Sequence, residues 1–407
     1  MKKTILKKYA NLIAQTGANV QKGQEVMIYA DLDQPEFVKM LVEECYKLGA
    51  KKVMVEWDYQ PLTKLNVKYR SLKTLSTIEK WEIERLEHRL KTLPVMIYLL
   101  SEDPDGLKGI NQQKYSKSSQ ARYKITKPYR DKMDNKYQWC IAAVPGEKWA
   151  KKMFPNLRKS QAIEKLWEAI LTTSRVDDNP TSAWENHNKD IKSRCDYLNS
   201  LGIKLLEYKS SNGTEFTVGL MENARFLGGR EKTLSGVEYN PNIPSEEVFI
   251  TPKKGEAQGI VYSSRPLSFR GELIENFSIR FENGKAVEVK AEKNEELLRE
   301  LISTDEGASY LGECALVPYN SPICQSGLIF YNTLFDENAA CHLAFGEGFA
   351  ECIIDFDKYT LEQCREMGCN TSIIHEDFMI GTADLDITAV TRSGERFEIF
   401  KNGNWAF

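Results

Sequence analysis

The 407-residue chain lacks several features that would settle its class at once. It has no apolar run long enough to cross a bilayer, for which about 18 consecutive apolar residues are needed, so no membrane span is expected. Neither charge sign prevails: 55 Lys and Arg stand against 58 Asp and Glu, a net charge of −3. Without a basic excess there is no electrostatic footprint for nucleic acid, and no nucleic-acid partner is expected. The opening Met1-Lys2-Lys3-Thr4-Ile5-Leu6-Lys7-Lys8 turns polar before an apolar core of a leader can form, so it reads as no signal peptide. Nine cysteines at irregular spacings suggest reduced thiols in a cytoplasm rather than a disulfide framework. No G-x-G-x-x-G or G-x-x-x-x-G-K-[ST] segment follows any predicted strand, which removes the usual phosphate cradle of a nucleotide-binding sheet.

What is present alternates. Residues 5–14 carry apolar side chains at helical intervals, and 26–30 read as a buried strand. Pro35 opens a helix ended by Gly49, and residues 52–57 form the next strand. The pattern recurs as a helix over 78–93, a strand over 95–100, a basic helix to Met133, a strand over 139–144 and a helix over 162–171. Strands alternating with helices predict an α/β domain, residues 1–180, with a mostly parallel sheet. The turn-forming stretch from Arg175 marks the boundary, and a helix over 182–201 follows. Strands then dominate: 204–208, 215–220, 260–263 and a hairpin turning at Asn283-Gly284, with a short helix over 294–303. Residues 181–407 therefore read as an α+β domain with a mostly antiparallel sheet.

Only four histidines exist. His88 and His187 sit in helical contexts and read as structural. His375-Glu376-Asp377 lies in a predicted strand, where residues i and i+2 share a face, so His375 and Asp377 can clasp one cation while Glu376 points away. His342 follows Asp336-Glu337-Asn338, a helix-start pattern. On one regular helix Glu337 and His342 would stand about 140° apart, so they converge only if Glu337 lies on the cap. Glu313 heads an apolar strand, where an unpaired carboxylate would be costly. Of Glu246 and Glu247, alternation sends at most one inward. Glu247, Glu313, Glu337 and Asp377, with His342 and His375, would balance two divalent cations, and oxygen and imidazole donors suit Zn²⁺, Co²⁺ or Mn²⁺. A structural reading of each residue stays open at this point. Cys314, Cys324 and Cys341 lack the paired spacing of a zinc-thiolate site and read as small buried hydrophobes.

The run Gly312-Glu-Cys-Ala-Leu-Val-Pro, then Ser321-Pro-Ile-Cys-Gln-Ser-Gly and Phe330-Tyr-Asn-Thr-Leu-Phe-Asp-Glu-Asn-Ala-Ala-Cys-His, resembles the thermophilic-type metallo-aminopeptidases (aminopeptidase T, aminopeptidase S, PepS). So do His375-Glu-Asp-Phe-Met-Ile-Gly, Asn402-Gly-Asn-Trp-Ala, Gly17-Ala-Asn-Val-Gln-Lys-Gly-Gln and Asp178-Asn-Pro-Thr-Ser-Ala-Trp, so the likeness spans the chain. The resemblance implies metal ligands at Glu247, Glu313, Glu337, His342, His375 and Asp377. It prefers Glu247 to Glu246 because relatives often read Gly-Gly-Glu-Val there. It further implies two divalent ions, Zn²⁺ or Co²⁺ with Mn²⁺ and Mg²⁺ as the remaining options, acting on peptides with a free N-terminus, and a homodimer. One departure stands out: the family places a catalytic Tyr seven residues after the histidine, where this chain has Phe349. Tyr331 and Tyr310 are candidate substitutes for its hydroxyl. The alternatives are a catalytically impaired or non-enzymatic metal-binding homologue, or another two-metal hydrolase. A phosphoesterase would want Arg or Lys near the metals, and the 313–345 block has neither.

Overall fold

A computed structural model describes all 407 residues. The chain forms two compact units, one of Met1–His187 with Arg230–Ser245, the other of Asn188–Gly229 with Glu246–Phe407.

The first unit is built on a five-stranded sheet in the order Lys52–Asp58, Glu25–Asp31, Val95–Leu100, Trp139–Ala143, Asn242–Ile243. Every neighbouring pair is parallel. Its connections are helices, among them Pro35–Lys47, Lys80–Thr92 and Gln112–Met133. The sequence sets their limits locally: Pro35 occupies the first turn, where its missing N–H costs nothing, and Gly49 leaves the helix at φ +95°, a region that disfavours a Cβ. The parallel sheet and its helices stand as read from the sequence. Helices Pro61–Tyr69, Leu72–Ser76 and Glu147–Met153 and the edge strand Asn242–Ile243 are additional.

The second unit carries a nine-stranded antiparallel sheet. Its hairpin between Glu272–Glu282 and Lys285–Lys293 turns on Asn283 at φ +49° and Gly284 at φ +79°, the pair of positive φ values that a two-residue turn of matching twist requires. Beside it lies a four-stranded antiparallel sheet in the order Val248–Ile250, Leu311–Leu316, His342–Gly346, His375–Met379. One face of this small sheet, with Val248, Ile250, Cys314, Leu316, Leu343, Phe345 and Phe378, belongs to the main apolar core of the unit. All nine cysteines are free and buried. No helix is long and apolar enough to cross a membrane.

Candidate metal centre

Alternation fixes what the other face of the four-stranded sheet must show. Along one row Phe249 pairs with Ala315, Ala315 with His342, and His342 with Met379. Along the next, Glu313 pairs with Ala344 and Ala344 with Asp377. His375, two residues before Asp377, shares their side. Two carboxylates and two imidazoles thus rise from one face of a sheet whose other face is buried in the core. Glu247, just before the Val248–Ile250 strand, joins them.

The side chains converge. His342 Nε2 lies 3.3 Å from Glu247 Oε2 and 4.0 Å from Asp377 Oδ1. His375 Nε2 lies 3.1 Å from Glu313 Oε2 and 3.4 Å from Asp377 Oδ1. Two three-residue groups, each with donor atoms within 4.8 Å of one another, could hold a metal ion: Glu247, Glu313 and His342, and Glu313, His375 and Asp377. Glu313 belongs to both. Glu337 sits nearby on the turn Glu337–Ala339, its Oε1 accepting from Asn338 Nδ2 at 3.2 Å, outside these two groups. Glu246 is buried as well but joins neither group. Glu376 pairs with Phe345 on the opposite, core-side face, as alternation requires.

Which atoms can bind a cation follows from the hydrogen bonds. His342 Nδ1 meets the Ala340 carbonyl at 3.2 Å, and His375 Nδ1 meets the Glu347 carbonyl at 2.8 Å. A carbonyl only accepts, so both Nδ1 atoms carry the proton and donate. In the neutral ring each Nε2 then presents a lone pair to the carboxylates, the tautomer that metal-bound histidines adopt. Asp377 Oδ1 is buried and receives no hydrogen bond. Acceptors facing acceptors repel unless a proton or a cation stands between them, and this donor set of oxygens and imidazoles is one that divalent cations take.

The titration of these groups records the same crowding. Burial, reinforced by the charges of Glu247 and Asp377 against a hydrogen bond from His375, pushes Glu313 up to about 7. Burial and the neighbouring acids Asp377, Glu247 and Glu313 hold Glu337 well above the ordinary carboxylate range. For His342 burial acts downward, but Glu247, Asp377 and Glu313 outweigh it and push the imidazole up to about 9. Asp377, despite burial, is held low by His375 and His342. The sign for stability follows. Between its ordinary 4.5 and about 7, folded Glu313 keeps a proton that the unfolded chain has lost, and the His342 contribution, complete below 6.5, fades up to about 9. Chelator-treated protein is therefore expected to lose Tm steadily as pH rises through this range. Excess Zn²⁺, which takes the place of those protons, should flatten the slope, and thermal melts at a series of pH values with EDTA or Zn²⁺ check both statements.

Two sequence expectations change. His342 is not on a helix: the helical part ends after Thr333–Asp336 and one tight turn, Glu337–Ala339, and His342 begins the strand His342–Gly346. Glu337 therefore approaches from a turn, and the angular objection to its meeting His342 disappears. Glu313 lies inside the strand Leu311–Leu316 rather than at its head. Phe349 places its ring 4.8 Å from the His375 ring and 5.4 Å from that of Phe249, while its N–H donates to Thr251 Oγ1 at 2.8 Å. Tyr331 lies on the loop before Thr333–Asp336 with φ +55°, and Tyr310 precedes the Glu313 strand with the Lys254 ammonium 4.7 Å from its ring centre. His88 bonds Glu25 at 3.0 Å on a helix face, and His187 contacts the Ser245 carbonyl at 2.7 Å. Missed entirely were Ala315 and Ala344 on the same face: Ala344 puts only a methyl group between Glu313 and Asp377, and Ala315 packs with Phe249 and Cys352. Their signal was the i+2 spacing from Glu313 and His342, legible only once both stretches are known to be strands.

A face of acids and imidazoles able to hold two cations, backed by an apolar core, is a site that suits a metal-dependent hydrolase. The comparisons place it more closely. The family model described as thermophilic metalloprotease (M29) matches residues 2–405, and the chain belongs to that family. It is 41% identical to aminopeptidase AmpS of Bacillus subtilis over 404 residues, covering 99% of this chain and 98% of that protein. It is 39% identical to aminopeptidase 2 of Geobacillus stearothermophilus, again over 99% and 98% of the two chains. The solved structure of wild-type AmpT from Thermus thermophilus superposes with a TM-score of 0.91 at 36% identity, covering 100% of both chains.

Proposed function

We propose that this chain is an aminopeptidase that binds two divalent cations, Zn²⁺ or Co²⁺ before Mn²⁺ or Mg²⁺, through Glu247, Glu313, Glu337, His342, His375 and Asp377. It would release N-terminal residues from peptides. The observation that carries the reading is the pair of imidazole nitrogens, His342 Nε2 and His375 Nε2, packed 3.1 to 3.4 Å from carboxylate oxygens of Glu247, Glu313 and Asp377. The curated relatives are named aminopeptidases, which supports the substrate class. A homodimer in the cytoplasm belongs to the same reading, and nine free thiols suit that compartment.

Two such cations, when bound, polarise the scissile carbonyl and lower the pKa of a water from about 15.7 towards roughly 7. The protein's own part is positional. The Ala340 and Glu347 carbonyls fix the tautomer and plane of each imidazole. Glu313, common to both groups, would help to hold either ion. The sheet holds this constellation on rigid strands, so little reorganisation is needed when charge develops in the transition state.

Phe349 favours a second reading, a slowed enzyme, because its ring stands beside His375 with no hydroxyl to offer an oxyanion. The test is metal analysis with a panel of aminoacyl amides. Two ions per chain and turnover only with a free α-amino group are expected, and an ion-free or amine-indifferent protein would sink the proposal. Phe349→Tyr should raise kcat about 10²-fold at unchanged metal content, the scale of one oxyanion donor. An unchanged kcat would assign that role to another group.

A further inference from the structure

The six candidate ligands come from several segments, and two of them, Glu247 and Glu337, lie outside the regular strands. Something must hold these two in place. Asn338 is fully buried, at 0% exposure, on the turn Glu337–Ala339. Its Oδ1 accepts from the Glu246 N–H at 2.7 Å, across 92 residues of chain. Its Nδ2 donates to Glu337 Oε1 at 3.2 Å and to the Leu334 carbonyl at 3.0 Å. Its own carbonyl accepts from Ser321 Oγ at 3.1 Å, and the same hydroxyl caps the short helix Pro322–Gln325. One side chain therefore grips the carboxylate of Glu337 and the backbone immediately before Glu247.

We infer that Asn338 is a positioning residue of the metal centre, tying Glu337 and the Glu247 segment into one geometry through the two ends of its amide. The inference rests on the metal reading above. The chemistry selects asparagine. An amide offers two N–H donors, here for the Glu337 carboxylate and the Leu334 carbonyl, together with an acceptor for a backbone N–H at the same branch point, whereas a protonated carboxyl has only one donor. Aspartate keeps the acceptor but sets another negative group against Glu337. Alanine leaves the Glu246 N–H and one Glu337 oxygen without these partners. Groups that orient metal ligands in this way typically change metal affinity 10- to 100-fold when removed.

The experiment titrates Zn²⁺ calorimetrically into chelator-stripped, full-length protein, wild type beside Asn338→Asp and Asn338→Ala, with thermal melts of each. Wild type should take up two ions. Both variants should bind at least one of them 10- to 100-fold more weakly. Asn338→Asp, which still bonds the Glu246 N–H, separates this effect from simple loss of the tether. Two ions bound within twofold of wild-type affinity in either variant, whatever its Tm, would overturn the inference. Failure of both variants to fold would make Asn338 a purely structural residue and overturn it as well. A wild-type protein that binds no Zn²⁺ would instead overturn the metal reading on which this inference rests.

Discussion

Glu313→Gln is expected to lower kcat/KM by at least about 10³-fold, roughly 4 kcal/mol of transition-state stabilisation, and to cut the bound metal from two ions to one or none. Glu313 is the residue common to both cation-binding groups, and it is almost sealed from solvent at 4% exposure. Glutamine keeps its shape and a carbonyl oxygen near His375 but removes the charge that two cations would share. The stability effect should run the other way. Burial and the neighbouring acids already push the Glu313 carboxyl up to about 7, so its ionised form is a strain on the fold. In chelator at pH 8 the variant should melt higher than wild type, as expected where a site is built at the expense of stability. Metal analysis, a steady-state assay and a melt check all three statements. A variant with two ions and near-normal turnover would remove Glu313 from the centre.

Ala344→Leu should silence the enzyme without unfolding it. Ala344 stands in register between Glu313 and Asp377, and cross-strand neighbours lie about 4.5–5.5 Å apart. The one side chain between the two carboxylates is thus a methyl group. Leucine would carry further carbons into the space where a cation shared by those acids must sit. Overpacking costs about 1–3 kcal/mol, which in a protein of this size lowers Tm by no more than about 10 °C. Loss of metal and of activity with a folded far-UV spectrum is the expected outcome, while Ala344→Gly should keep both ions. Two ions bound by Ala344→Leu would show that the cations lie elsewhere.

The parallel half of the fold was legible because its signals are local. Pro35, Gly49 and compact apolar strands such as Val95–Leu100 each declare themselves within a few residues. The Asn242–Ile243 edge strand was not, since it is two residues long and joins a sheet formed by the first 143 residues. Within the centre, His375 and Asp377 were readable through the period of two. His342 was misplaced because the cap and helix formers of Asp336–Ala340 sustain only two short turns. The strand after them is buried on both faces and shows no alternation to betray it. Asn338 read as a helix cap, whereas it lies inside the turn Glu337–Ala339, and its bond to Glu246 went unseen because nothing local reports a bond across 92 residues.

The polypeptide enters the second unit at Asn188, returns to the first for Arg230–Ser245, and re-enters at Glu246, one residue before the first of the six acids and imidazoles. The halves are therefore stitched rather than strung. A piece beginning at Asn188 would carry the Asn242–Ile243 strand without the sheet it pairs with, and a piece ending at His187 would lack that edge.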